Sequence, residues 1–148
     1  MYCTIQDLKE QVSELVLINL TDDEGVAPAF LDEAGENIIN RLNKAILDAT
    51  NEINGYCQAR YPVPLNPVPG FIAKLAVDIA LYNLFSRRGF FEDNQDKAIV
   101  DRYRAAVKNL ENIARGVVTL GAVAPSPSPG SGDVAQISSS PRIFSRKK

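Results

Sequence analysis

The stretch Phe71–Phe85, FIAKLAVDIALYNLF, decides how the chain folds. Only Lys74, Asp78 and Asn83 interrupt an otherwise apolar or aromatic run. Wound as a helix, it is apolar on nearly every side, with Lys74 and Asp78 one turn apart on a narrow polar strip. Such a helix belongs at the buried centre of a bundle. It is too short for a membrane span, which needs about twenty apolar residues. Leu75, Asp78, Ile79, Tyr82 and Phe85 are the core positions read from it. Asp78 needs a partner, because an unpaired carboxylate in a core costs several kcal/mol. Lys74, Arg60 and Arg41 are the candidates, and the expected arrangement is a buried pair locking this helix to the Arg60–Leu65 corner.

Upstream lies Tyr61-Pro62-Val63-Pro64-Leu65-Asn66-Pro67-Val68-Pro69. Proline removes the backbone donor and turns its predecessor away from helical angles, so this run is an extended connector. Tyr61, Pro62 and Pro64 form its stiff core, which sets the angle between two helices. Before it, Ile39, Leu42, Ile46, Ala49, Ile53 and Tyr56 recur at 3-4-3-4-3 spacing, which predicts a helix from Asn37 or Asn40 to Arg60. Either asparagine can cap its start. Asn43, Asn51, Glu52 and Asn54 fall off the seam. Downstream, Ser86-Arg87-Arg88-Gly89 suits a helix C-terminus, with Phe90-Phe91 folding back on the bundle. A last helix from about Asp93 to Arg115 carries Ile99, Tyr103, Ala106, Leu110, Ile113 and Val117, with Asp93–Lys97 and Glu111–Arg115 pairs and Gly116 as its stop. At the start, Thr4-Ile5-Gln6-Asp7 has the form of a capping box, opening a short helix with Ile5, Leu8 and Val12 on one face. Ser13 opens a second short turn through Leu15–Leu20.

The expectation is therefore an all-α bundle of about four helices, the third central and buried. It occupies residues 1–121. Residues 122–133 read as a Pro/Ser/Gly linker. Residues 134–148 read as a docking tail able to add as a short extended strand to a partner, anchored by Ile137, Ile143 and Phe144 and charged by Arg142 and Arg146.

Charge sharpens this division. The chain has net charge −2, from 16 basic and 18 acidic residues. The segment 122–148 holds four basic residues and one acid, leaving the body with 12 basic and 17 acidic residues, or −5. An acidic body argues against a general DNA-binding surface. Six acids and no base fall between Asp22 and Glu36, which reads as a solvated loop or as an acidic surface that faces DNA or receives a basic tail. Histidine is absent, which removes the commonest general base and metal ligand. Cys3 and Cys57 read as buried free thiols, and no cofactor is expected. The opening MYCTIQDLKEQ carries charges where a signal peptide would be apolar, so synthesis in the cytoplasm is expected.

Several segments taken in order resemble one family. TIQDLKEQ at 4–11, LxxLTDD at 17–23, INGYCQARYPVPL at 53–65, LAVDIALYNLF at 75–85 and GVVTLG at 116–121 resemble the Mu-like phage virion neck proteins, and PRIFSR at 141–146 adds to the likeness. These are small head–tail adaptors, or connectors. The resemblance implies a homo-oligomeric ring, commonly a dodecamer, in the neck of the virion. It implies binding to the portal protein on one side and to a tail-side neck or tail-terminator protein on the other. DNA would pass through the lumen without specific binding, no membrane would be involved, and the family brings no catalytic residues. On the residues alone two other classes stay open. One is a cytoplasmic helical binding module, such as an assembly chaperone or regulator, absent from the mature particle. The other is a DNA-binding protein, for which Arg87-Arg88 and the Arg142–Lys148 tip are the only positive clusters.

Overall fold

A computed structural model describes residues 1–25, 28–89 and 94–121, with side chains from Lys97 onward in the last segment. It contains five α-helices: α1 (Ile5–Lys9), α2 (Glu14–Thr21), α3 (Glu36–Cys57), α4 (Gly70–Arg88) and α5 (Asn94–Arg115), with a short 3-10 turn at Leu31–Glu33. No strand occurs among the described residues, and no helix among them is long and apolar enough to cross a membrane. The linker at 122–133 lies outside the described residues. So do the tail positions Ile137, Arg142, Ile143, Phe144 and Arg146, the Phe90-Phe91 pair and the Asp93 half of the expected Asp93–Lys97 pair.

The architecture is the all-α bundle expected, with the N-terminal segment split into two short helices. That split makes the central helix fourth in chain order. The Thr4 capping box forms: Asp7 N–H donates to Thr4 Oγ1 at 3.3 Å, and Thr4 N–H donates to Asp7 Oδ2 at 2.7 Å. Helix α4 contacts α1, α2, α3 and α5. It buries Ile72, Leu75, Ala76, Ile79, Ala80, Leu81 and Leu84. Each large side chain among them contributes about 1.5–3 kcal/mol through burial. Tyr82 and Phe85 are half-buried at its margin.

Helix α3 buries Ile38, Leu42, Ile46, Ala49, Ile53 and Cys57. At its two ends these replace the expected Ile39 and Tyr56, which are half-buried. The buried positions advance by four at both ends. Ala45 and Thr50 are buried as well, and through the middle of the helix Leu42, Ile46, Ala49 and Ile53 keep the expected 4-3-4 spacing. Gly35, not Asn37 or Asn40, occupies the N-cap position. Asn37 instead donates its amide to Glu24 at 2.9 Å.

The proline-rich connector contributes to the core. Tyr61 and Leu65 are buried, while Pro62 and Pro64 face solvent between them. Leu65 N–H donates to the Tyr2 hydroxyl at 2.8 Å, and that hydroxyl donates to Asn54 on α3. Leu120 N–H donates to the Tyr61 hydroxyl at 3.0 Å. The connector is thereby stitched to both ends of the described chain.

Helix α5 buries Ile99, Ala106, Leu110 and Ile113 as the spacing predicts. Val117 departs from the pattern and is 74% exposed. The cause is the helix stop at Gly116, whose φ of 78° only glycine adopts freely. Gly116 N–H donates to Ile113 C=O at 3.0 Å and Val117 N–H to Asn112 C=O at 2.9 Å, the bond pair of a Schellman turn. The chain direction changes there, and Leu120 takes the core place instead.

Candidate functional site

Asp78 is 3% exposed and receives two cations. Lys74 Nζ lies 2.7 Å from Oδ2, one turn back on α4. The guanidinium of Arg102, on α5, straddles Oδ1 with Nε at 2.8 Å and a terminal nitrogen at 2.5 Å. Arg102 also donates to Gln11 at 2.9 Å, tying in the segment after α1. This corrects the expected lock. Lys74 is a partner as anticipated, but Arg60 and Arg41 are not. The pair fastens α4 to α5 rather than to the Arg60–Leu65 corner. Arg60 lies at the far end, its guanidinium against Gly116, where a Cβ would meet Cζ at 2.5 Å.

Arg41 is committed elsewhere, in a clamp that sequence reading missed. Arg41 donates to Thr21 C=O at 2.7 Å, Arg87 to Leu20 C=O at 3.0 Å, and Arg88 to Asp22 C=O at 2.6 Å. These are carbonyls at the end of α2 with no further helical turn to accept from. Asp23 sits between Arg87 and Arg41, and Arg87 holds its carboxyl below the usual range, with Arg41 and Arg88 adding to the effect. The arginines expected to cap α4 therefore serve the neighbouring helix. Part of the acid-rich 22–36 segment is neutralised within the chain. Asp22 accepts from Glu24 N–H at 3.1 Å and Gly25 N–H at 3.0 Å, which rounds the turn.

Beyond the clamp, Asp32, Glu33 and Glu36 remain exposed. They follow Phe30, which is 60% exposed at the head of the 3-10 turn. Leu31 is buried beneath that turn, and its N–H donates to Glu14 at 3.3 Å. The apolar anchor and the backbone bond hold the turn in place.

A groove of about 470 Å³ opens between α3 and α4. Among the described residues, Arg41, Lys44 and Arg87 line it with one acid, Asp48, over the buried Ala45 and Leu84. Asn37, Asn40 and Asn83 supply side-chain amides. Lys44 pairs with Asp48 one turn on. The groove therefore offers positive charge, two-way hydrogen-bonding groups and an apolar floor in one place.

On another face, Tyr82 of α4 stacks on Tyr103 of α5 with ring centroids 3.8 Å apart and planes 7° from parallel. Tyr103 donates its hydroxyl to Glu52 at 3.1 Å. Burial, and then the Glu52 charge, push the Tyr103 phenol up to about 12. Burial likewise pushes the free thiols of Cys3 and Cys57 up to about 11. Among the described residues no group of His, Cys, Asp or Glu is placed to hold a metal ion. Every buried side-chain polar atom among them has a hydrogen-bond partner.

The structure thus puts Leu75, Asp78 and Ile79 in the core, with Tyr82 and Phe85 at its edge. The residues missed are Arg102, the clamp arginines and Phe30. A heptad-based reading had no signal for Arg102, because its long side chain reaches inward from a flanking position. Phe30 was detectable as a lone aromatic in an acidic run.

The sequence matches the family described as Bacteriophage Mu, Gp36 over residues 2–139. Gene product J of Escherichia phage Mu is 28% identical over 148 residues, spanning 99% of this chain and 96% of that protein. The Mu-like prophage FluMu protein gp36 of Haemophilus influenzae is 31% identical over 93 residues, which cover 63% of this chain and 62% of that protein.

Proposed function

Because the chain belongs to the Bacteriophage Mu, Gp36 family, we propose that it is a structural protein of the phage particle, a head-to-tail adaptor that assembles as a ring beneath the portal. The ring extends the DNA channel and gives the tail-side neck or terminator protein a platform. Its role is one of shape, and no reaction or cofactor is assigned to it.

The observation that carries this reading is the presence of two unlike surfaces on one tightly locked bundle. One is the basic, amide-lined groove between α3 and α4. The other is the acidic turn that displays Phe30. Identical subunits close a ring by heterologous contacts, in which one surface of each copy meets a different surface of the next. The −5 charge of the body suits a channel along which DNA slides without sticking. The segment 134–148 is the docking tail of this reading. Repeated around a ring, it engages a partner with high effective concentration.

The test is to delete the gene from a phage that carries it and examine the lysate by electron microscopy. The reading expects heads that fill with DNA, lose it, and do not join tails. A full yield of joined, infectious particles contradicts it and favours a module that works elsewhere in the infected cell.

A further inference from the structure

We propose that the Phe30 turn of one copy seats in the α3–α4 groove of the next copy, with Asp32 and Glu33 facing Arg41 and Lys44. The inference rests on the ring reading and names the contact that would join its subunits.

Phe30 is a large apolar side chain in solvent, yet the turn that carries it is fixed. Leu31 is buried and bound to Glu14, Glu33 N–H donates to Phe30 C=O at 3.1 Å, and Ala34 N–H donates to Leu31 C=O at 3.0 Å. An exposed aromatic on a pre-ordered turn loses little freedom on binding. Aromatic side chains are also the usual anchors of protein interfaces. Asp32, Glu33 and Glu36 give the projection a negative rim.

The groove complements that projection in charge and polarity. Among its described lining residues it presents Arg41, Lys44 and Arg87 with one acid, Asp48, and Asp23 beside it offsets part of the arginine charge. Its asparagine amides both donate and accept, as the backbone of an incoming turn requires. Ala45 and Leu84 offer an apolar floor for a ring. Its volume is about 470 Å³. The turn is pinned to α2 through Leu31 and Glu14 and is not part of the groove wall in its own copy. Glu33 of the same copy lines an adjoining cavity with Asn37 and Arg41 but does not enter the groove, which leaves the groove open to the turn of a second copy.

A nucleic-acid backbone fits less well. Three cations set among amides in one groove do not make the extended basic stripe that a row of phosphates follows, and the body as a whole carries −5. A phosphate chain also has no use for the apolar floor. A stable interface buries roughly 800 Å² on each partner, so this contact is the anchor of a larger one.

The experiment is sedimentation of the full chain over a concentration series, at about 50 mM and about 500 mM salt. Four variants accompany it: Phe30→Ala, Glu33→Lys, Lys44→Glu, and Glu33→Lys with Lys44→Glu. All three sites are exposed, so wild-type melting is expected throughout. The proposal expects salt-sensitive self-association, weakened at least tenfold by each single change and largely regained in the double charge swap. A chain that stays monomeric to about 1 mM overturns it. So does association indifferent to the single changes, or a double variant no better than either single. Duplex-DNA binding that Lys44→Glu abolishes, without self-association, assigns the groove to nucleic acid and also overturns it. Particles that contain the ring while association ignores these variants sink this contact alone. Particles without the chain sink the ring reading and leave the sedimentation result standing.

Discussion

Arg102→Ala removes the guanidinium that holds Asp78 from α5. Asp78 is 3% exposed, so its carboxylate is poorly hydrated and depends on its two cationic partners. Stranding one member of a buried pair costs about 3–5 kcal/mol. Two features reduce that figure here. Lys74 remains 2.7 Å away, and a cavity of about 390 Å³ beside Asp78 admits solvent. Arg102 is itself 35% exposed, which weakens its share. The expected loss is about 2 kcal/mol. For a bundle of this size that lowers Tm by about 6–10 °C. Lys74→Ala is the comparison. Its side chain is 66% exposed, so it costs about 0.5 kcal/mol and about 2 °C. Thermal and urea melts of Arg102→Ala, Asp78→Asn and the double variant form a cycle that isolates the pair, with a coupling of about 1–2 kcal/mol expected. Loss below about 0.5 kcal/mol for Arg102→Ala, or a coupling near zero, refutes the lock between α4 and α5.

Ile79→Asp places a charge at a fully buried position of α4, and a cooperative melt is expected to disappear; an unshifted melt removes α4 from the centre. Deleting residues 122–148 leaves the described core intact, so the melt is expected within about 1 °C of wild type, while joining of heads to tails in a complementation assay falls; full joining efficiency contradicts the docking role of the tail. Cys3 and Cys57 are held near 11 in the folded chain against 9.0 ordinarily, so about one thiol in a thousand is ionised at pH 8. Maleimide labelling is expected to be slow until urea unfolds the chain, and rapid native labelling contradicts the burial. The same groups set an alkaline limit. The folded state keeps protons on both thiols and on Tyr103 that the unfolded chain gives up at lower pH, so stability present below pH 9 is lost as pH rises toward 12. Urea midpoints at pH 7.5 and 10.5 check the sign, and a midpoint that rises with pH contradicts it.

The parts of the fold legible in the sequence were those set by local chemistry. The apolar run of α4, the Thr4–Asp7 capping box and the Gly116 stop each depend on residues close in sequence, and each is where it was expected. The register of α3 was less legible. Ile39 and Tyr56 continue the seam by steps of three and Ile38 and Cys57 by steps of four, both on nearly the same face, and packing in the assembled bundle buries the second pair. Val117 continued the spacing of α5, but a stop at Gly116 turns the next residue out. The arginines were the least legible. Arg41, Arg87, Arg88 and Arg102 all lie at helix surfaces, and their long side chains reach acceptors on other elements. Only the assembled bundle shows which carbonyl or carboxylate each one meets. The same holds for the groove, whose lining comes from two helices separated by the proline connector.

A cryo-EM reconstruction of the neck in purified particles tests the central claim most directly. The account predicts density for this chain as a closed ring of identical subunits between portal and tail, with an open channel through its centre. A neck fully built from other proteins, with no density for the five-helix bundle, contradicts it.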